Sequence, residues 1–118
     1  MGRDITREAL KEKMDRGDDF VLVDALSHQH YESSHLPGAV NLPYELVDKA
    51  ETMLPDRQTE IVVYCMGLGC ATSKEEASEL AKMGYENVHH YVGGKQDWLQ
   101  AGLPVEGRHG THTRISPA

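Results

Sequence analysis

Glu60-Ile61-Val62-Val63-Tyr64-Cys65-Met66-Gly67-Leu68-Gly69-Cys70-Ala71-Thr72 is the stretch that decides the fold. Its opening five residues form a β-branched run without polar alternation, the pattern of a strand covered on both faces in a parallel sheet under helices. A loop with two glycines follows, and Thr72 or Ser73 then opens a helix. Both frames offer a capping box, Thr72 with Glu75 or Ser73 with Glu76. In open parallel sheets ligands bind beyond the carboxyl ends of the strands, so Cys65 stands where chemistry is expected.

Similar units lie on either side. Thr6 is placed to cap a helix over residues 7–16, with Ile5 and Leu10 as a hydrophobic staple and Gly17 as its stop. Phe20-Val21-Leu22-Val23 is a second continuous apolar run. Ser27 caps a short helix to Ser34, His35-Leu36-Pro37-Gly38 is turn chemistry, and residues 39–42 make a brief strand. Leu46, Val47, Ala50, Met53 and Leu54 fall near helical spacing over 44–54, closed by Pro55. In the helix after Thr72, Ala77, Leu80, Ala81 and Gly84 share one side. Residues 88–92 form a third core strand, punctuated by Gly93-Gly94, and 96–101 a last helix stopped by Gly102. Strands alternating with helices predict an α/β fold: a small, mostly parallel sheet of four to five strands covered by helices on both faces. We expect one domain over residues 1–107. Residues 108–118, with Ile115 as their one aliphatic side chain, read as a C-terminal tail or surface strap.

The chain has 118 residues, enough for one core. Twelve Lys+Arg against nineteen Asp+Glu give a net charge of -7, which opposes nucleic-acid binding. No apolar stretch is long enough to span a membrane. The amino end lacks a leader pattern, so a cytoplasmic location is expected; Met1-Gly2-Arg3-Asp4-Ile5-Thr6 fits a myristoylation pattern, but Thr6 already serves as a cap. Two cysteines are too few for a disulfide framework. The seven histidines are scattered, so no metal site is expected.

At Cys65 itself, the glycines allow successive N–H groups to turn inward as an anion-binding concavity. The helix that follows adds the positive end of its dipole. A thiolate there would gain nucleophilicity at neutral pH. A buried, inert cysteine beside a flexible turn fits the same spacing.

Three segments carry a resemblance to the single-domain rhodaneses, the sulfurtransferase family. Val21-Leu22-Val23-Asp24 with His35-Leu36-Pro37-Gly38-Ala39-Val40-Asn41-Leu42-Pro43 resembles the family's opening strand and its H-I-P-G-A-x-N-I-P stretch. Val62-Val63-Tyr64-Cys65 and its loop resemble the active-site segment. Gly84-Tyr85-Glu86-Asn87-Val88, Tyr91-Val92-Gly93-Gly94 and Trp98 resemble the closing half. The resemblance implies that Cys65 is the catalytic nucleophile and carries sulfane sulfur as a persulfide. Met66, Gly67, Leu68, Gly69, Cys70 and Ala71 would then bind substrate through their backbone. The implied partners are a small sulfur donor or a protein persulfide and a thiol or cyanide acceptor, and no cofactor is implied, because sulfur itself is the carried group; a monomer or weak homodimer is expected. The six-residue loop from Cys65 to Cys70 resembles sulfurtransferases rather than the related phosphatases.

Two departures bear on substrate. Cys70 replaces the Arg common at the sixth loop position of thiosulfate-using members, and Leu26 replaces an Arg found two residues after the strand aspartate. Glu75 and Glu76 add negative charge behind the loop. Weak thiosulfate activity is therefore expected. Cys70 is a candidate resolving thiol, forming a disulfide with Cys65 if the two Cα atoms come within about 7 Å, or a small residue filling space. Asp24, Tyr91, Trp98 and His35 read as scaffold, and His89 and His90 should alternate across a strand. No side chain declares itself a general base for Cys65. A thiol redox protein using Cys65 and Cys70, and a non-catalytic binding module on the same fold, stay open as alternatives.

Overall fold

A computed structural model describes residues 3–67 and 69–108. Its centre is the strand β4 (Glu60–Tyr64). Beside it run β2 (Val21–Asp24) and β5 (Asn87–Tyr91), with β3 (Val40–Asn41) and β1 (Arg3–Ile5) at the edges. The order is β1-β5-β4-β2-β3, and every pairing is parallel. Because side chains alternate along a strand, β4 feeds two cores. Ile61 and Val63 point to one face, with Leu80, Tyr85 and Val88. Val62 and Tyr64 point to the other, with Leu10, Tyr91 and Trp98.

Helices cover both faces. On the first lie α3 (Ala50–Met53) and α4 (Thr72–Lys82), which contribute Ala50, Ala77 and Leu80. On the second lie α1 (Arg7–Arg16) and α5 (Gly94–Gln100), which contribute Leu10 and Trp98. The short α2 (His28–Ser33) links β2 to β3. The chain is thus an α/β sandwich with a five-stranded parallel sheet, at the upper end of the four to five mostly parallel strands that the sequence predicts.

Local chemistry explains most boundaries. The Thr6 side chain accepts from the Ala9 N–H, and Gly17, at φ 73°, closes α1 in the left-handed region. Ile5 packs against the cluster that holds Leu10, as the staple requires. Ser27 caps α2 through the His30 N–H. His35 stacks on Tyr31 with centroids 3.9 Å apart and pairs by backbone with Glu106.

Four expectations are corrected. β1 was not foreseen: Arg3 and Asp4 are polar and exposed, and only register with β5 (Arg3 with His89, Asp4 with His90, Ile5 with Tyr91) makes this segment a strand. The helix expected over 44–54 is a 3-10 segment, Tyr44–Lys49, followed by α3, with a kink at Leu46 (φ -111°, ψ 18°). The kink leaves Leu46 exposed while Ala50 is buried. The last helix starts at Gly94, two residues early. Neither capping box forms, because Ala71 is the N-cap of α4 and no side chain caps it. Arg108 hydrogen-bonds Glu32 through its backbone N–H, 2.8 Å, while the rest of the expected tail, 109–118, lies outside the described residues.

The caps give a direct contrast. Thr6→Ala should cost about 1 kcal/mol of stability, whereas Thr72→Ala should stay within about 0.5 kcal/mol. Urea unfolding of both variants checks this; equal losses would contradict the assignment of the caps.

Candidate active site

Parity along β4 sends the Cys65 side chain to the α4 face, in the cluster with Ile61 and Val63. The loop beyond is clamped by the turn entering α5. The Lys95 N–H donates to the Cys65 carbonyl (2.9 Å) and the Gln96 N–H to the Met66 carbonyl (2.7 Å). Gly94 makes that approach feasible: at φ 66° an added Cβ would lie 2.6 Å from the Cys65 carbonyl oxygen. Glycine tolerates both the dihedral and the contact.

Cys65 and Cys70 are joined in a disulfide, with Cα atoms 6.6 Å apart, inside the range such a bond requires. The sequence had left this pairing open. Cys65 is 2% exposed, Cys70 half-buried, and Met66 exposed at the rim. Gly67 is buried under Gln96, Gly69 takes φ 88° in the turn, and Ala71 ends the loop exposed. Leu68 lies outside the described residues. The Cys70 N–H, expected to face an anion, donates instead to the Gly67 carbonyl at 3.0 Å. In this oxidised state the Cys65 sulfur contacts the Ser73 hydroxyl (3.0 Å) and the Cys70 carbonyl (3.5 Å).

Ser73 and His90 are the residues that sequence reasoning missed. Ser73 Oγ lies 2.7 Å from His90 Nε2, so the sulfur, the hydroxyl and the imidazole form a continuous chain. The sequence reads Ser73 as a candidate helix cap and His90 as half of an alternating pair. The pair does alternate, His89 turning to Glu60 at 3.2 Å on the opposite face. Strand parity alone could have flagged His90, since 90 shares its face with Val88.

Two buried acids lie behind the loop. Asp24 accepts from the Leu26 N–H (2.8 Å) and the Tyr64 hydroxyl (2.8 Å), which itself accepts from the Leu36 N–H (3.0 Å). Burial pushes the Asp24 carboxyl up, against these hydrogen bonds and the nearby Lys95 charge. These bonds tie the end of β2 to β4 and, through Tyr64, to the turn at Leu36. Glu76 is fully buried, and neither carboxyl oxygen has a hydrogen-bond partner among the described residues. Burial, reinforced by the charges of Asp24 and Glu45, pushes its pKa up to about 9. Glu76 is therefore a neutral acid at pH 7, and the opposition to an anionic donor expected of Glu75 and Glu76 falls to the exposed Glu75 alone.

Tyr91 and Trp98 fill the core as expected, their rings edge to face, with the Trp98 N–H donating to Pro104 at 2.8 Å. Among the described residues no cluster of His, Cys, Asp and Glu side chains is arranged to hold a metal, and no helix is long and apolar enough to cross a membrane.

The fold and this site define a class: a parallel α/β domain with a cysteine on a short glycine loop at the carboxyl end of its central strand. Residues 6–101 match the family described as the Rhodanese-like domain, and the chain belongs to it. It is 32% identical over 104 residues to the thiosulfate sulfurtransferase GlpE of Haemophilus influenzae, covering 88% of this chain and 94% of that one. It is 36% identical over 103 residues to an HTH-type transcriptional regulator of Mycobacterium tuberculosis, covering 86% of this chain and 44% of the regulator; the chain spans less than half of that relative. The solution structure of the rhodanese-like domain of the Anabaena Alr3790 protein aligns with a TM-score of 0.83 at 28% identity, covering 100% of this chain and 87% of that one.

The buried acid sets a pH dependence. A carboxyl whose folded pKa is raised stabilises the protein fully below its unfolded value and loses that stability as pH rises toward the folded one. The Glu76 contribution to stability should fall from about pH 4.5 to about pH 9, by up to the order of 1 kcal/mol per pH unit. Glu76→Gln should flatten this slope without abolishing it, because Asp24 shifts in the same direction. Urea unfolding from pH 5 to 9, a range set by the ordinary carboxyl value and the shifted one, reads the slopes; identical slopes in both proteins would contradict the assignment.

Proposed function

We propose that the protein performs rhodanese-type sulfur transfer, with reduced Cys65 carrying sulfane sulfur as a persulfide. The supporting observation is the position of Cys65: at the end of the central strand, on a clamped loop, in bonding contact with a second loop sulfur. That the matching Haemophilus relative is named a thiosulfate sulfurtransferase supports the reaction class. The disulfide must first be opened by a thiol reductant.

The Cys65 thiolate then attacks the outer sulfur of a donor persulfide R–S–SH. The new S–S bond forms as the donor's own breaks, and R–S⁻ leaves with the electron pair. A second thiolate takes the same outer sulfur from Cys65, which departs as thiolate. Sulfur itself is the carried group, so the reaction calls for no resident cofactor. The donor is a small-thiol or protein persulfide, and the acceptor a thiol or cyanide.

Thiosulfate is a poorer donor, because Cys70 stands where thiosulfate-using members commonly have an Arg. A charge-assisted hydrogen bond of about 1.5–3 kcal/mol is missing, roughly a 10- to 100-fold loss in rate.

The disulfide favours a second outcome at the same site. Cys70 can attack the inner sulfur of the persulfide: Cys65–S–SH and Cys70–SH give the disulfide and H₂S, with atoms and electrons balanced and no outside oxidant. A dithiol reductant then restores both thiols. In the pure redox reading, Cys65 and Cys70 exchange electrons with a substrate disulfide and carry no sulfur.

Intact-mass spectrometry of the reduced protein after exposure to glutathione persulfide separates these. One added sulfur, lost in Cys65→Ala and retained in Cys70→Ala, is the expected result, with thiosulfate loading at least ~10-fold slower. Loss of two hydrogens, with no sulfur ever added in Cys70→Ala, would contradict sulfur transfer and support the redox pair.

A further inference from the structure

The Cys65 sulfur faces two ways. One side carries the bond to Cys70, and that is where a donor sulfur must arrive once the disulfide is opened. The other side touches Ser73 Oγ at 3.0 Å, and Ser73 is itself 1% exposed. A thiol proton leaving a residue 2% exposed needs a route to water, and the second side provides one.

His90 Nε2 lies 2.7 Å from Ser73 Oγ. His90 also lines an open cleft of about 690 Å³, with Asp4, Lys74, Lys82 and Val92. There His90 Nδ1 lies 3.8 Å from Asp4 Oδ1, set by the pairing of Asp4 with His90 across β1 and β5.

We propose that Ser73 and His90 form a proton relay that generates the Cys65 thiolate, with Ser73 the hydroxyl touching the reacting sulfur and His90 a positioning residue that holds the proton. The step balances as a double transfer. The Cys65 S–H proton passes to Ser73 Oγ as the Ser73 hydroxyl proton passes to His90 Nε2, leaving a thiolate, an unchanged serine and an imidazolium. When Cys65 departs from a spent persulfide as thiolate, the proton can return by the same path. This rests on the sulfur-transfer reading only in requiring Cys65 to react as a thiolate.

The surrounding charges fit the task. Burial pushes the His90 pKa down and Lys74 adds to that shift, while Asp4 opposes it. The ring is thus a neutral acceptor at pH 7, and Asp4 stabilises the imidazolium once formed. Lys82, which also lines the cleft, pairs with Glu79 at 3.6 Å. Nothing in helix α4 requires the Ser73 hydroxyl as a cap, since Ala71 holds that position. The hydroxyl is therefore free for the relay.

The test uses the reduced protein and the alkylation rate of Cys65 by iodoacetamide against pH, with Cys65 identified by peptide mass. Ser73→Ala and His90→Asn should each raise the apparent thiolate pKa by about one unit and slow alkylation at pH 7 by about 10-fold. The double variant should be no slower than either single one, because both act along one path. Superimposable profiles for all four proteins would overturn the relay. A second reading needs no variant: His90 titrated by NMR should show a higher pKa in reduced than in disulfide protein, since thiolate and imidazolium favour each other. Equal values in the two states would likewise overturn it. Shifted profiles without sulfur uptake would uphold the relay and remove the transfer reading; normal uptake with unshifted profiles would do the reverse.

Discussion

Two backbone hydrogen bonds, from the amides of Lys95 and Gln96 to the carbonyls of Cys65 and Met66, tie the end of β4 to the start of α5. They form only because Gly94 has no side chain to hold the chains apart. Without them the loop would leave the strand in any direction. With them its first two residues are held against the start of α5, and parity sends the Cys65 sulfur toward α4. The disulfide partner, the Ser73 hydroxyl and the His90 ring all take their places from that choice.

The same constraint buries the sulfur in the apolar cluster of Ile61, Val63 and Ala77, with the Ser73 hydroxyl and the Cys70 carbonyl as its polar contacts. Glu76 sits one helical turn beyond the loop, fully buried and neutral. Asp24 is held by two hydrogen bonds at the end of β2, and burial pushes the nearby Lys95 amine down. An ionised Glu76 in this interior would oppose a thiolate on the same face, and protonation removes that opposition. Closing the disulfide meanwhile covers the sulfur until a thiol opens it. The site thus has an oxidised, shielded state, alongside the reduced one that we propose for transfer.

Much of this was legible in the residues themselves. Continuous apolar runs at 20–23 and 61–64 required strands buried on both faces, and their alternation with helices required a parallel sheet. Thr6, Ser27 and Gly17 announced their caps because capping is local chemistry. What escaped was set by contacts distant in sequence. β1 exists only through β5, so two polar residues and an isoleucine give no sign of it. Ser73 and Glu76 have the spacing of a capping box, yet tertiary packing turns one to sulfur and buries the other. The 44–54 helix has apolar spacing that suits an α-helix, but the turn at Leu46 breaks it. The disulfide needed a distance that composition cannot supply.

The most direct measurement is a crystal structure of the reduced protein after exposure to a persulfide donor. The account predicts an extra sulfur atom on Cys65 Sγ, with Cys70 free and the Ser73 hydroxyl still against the inner sulfur. A Cys65 left as the free thiol, or sulfur carried on Cys70 instead, would contradict it.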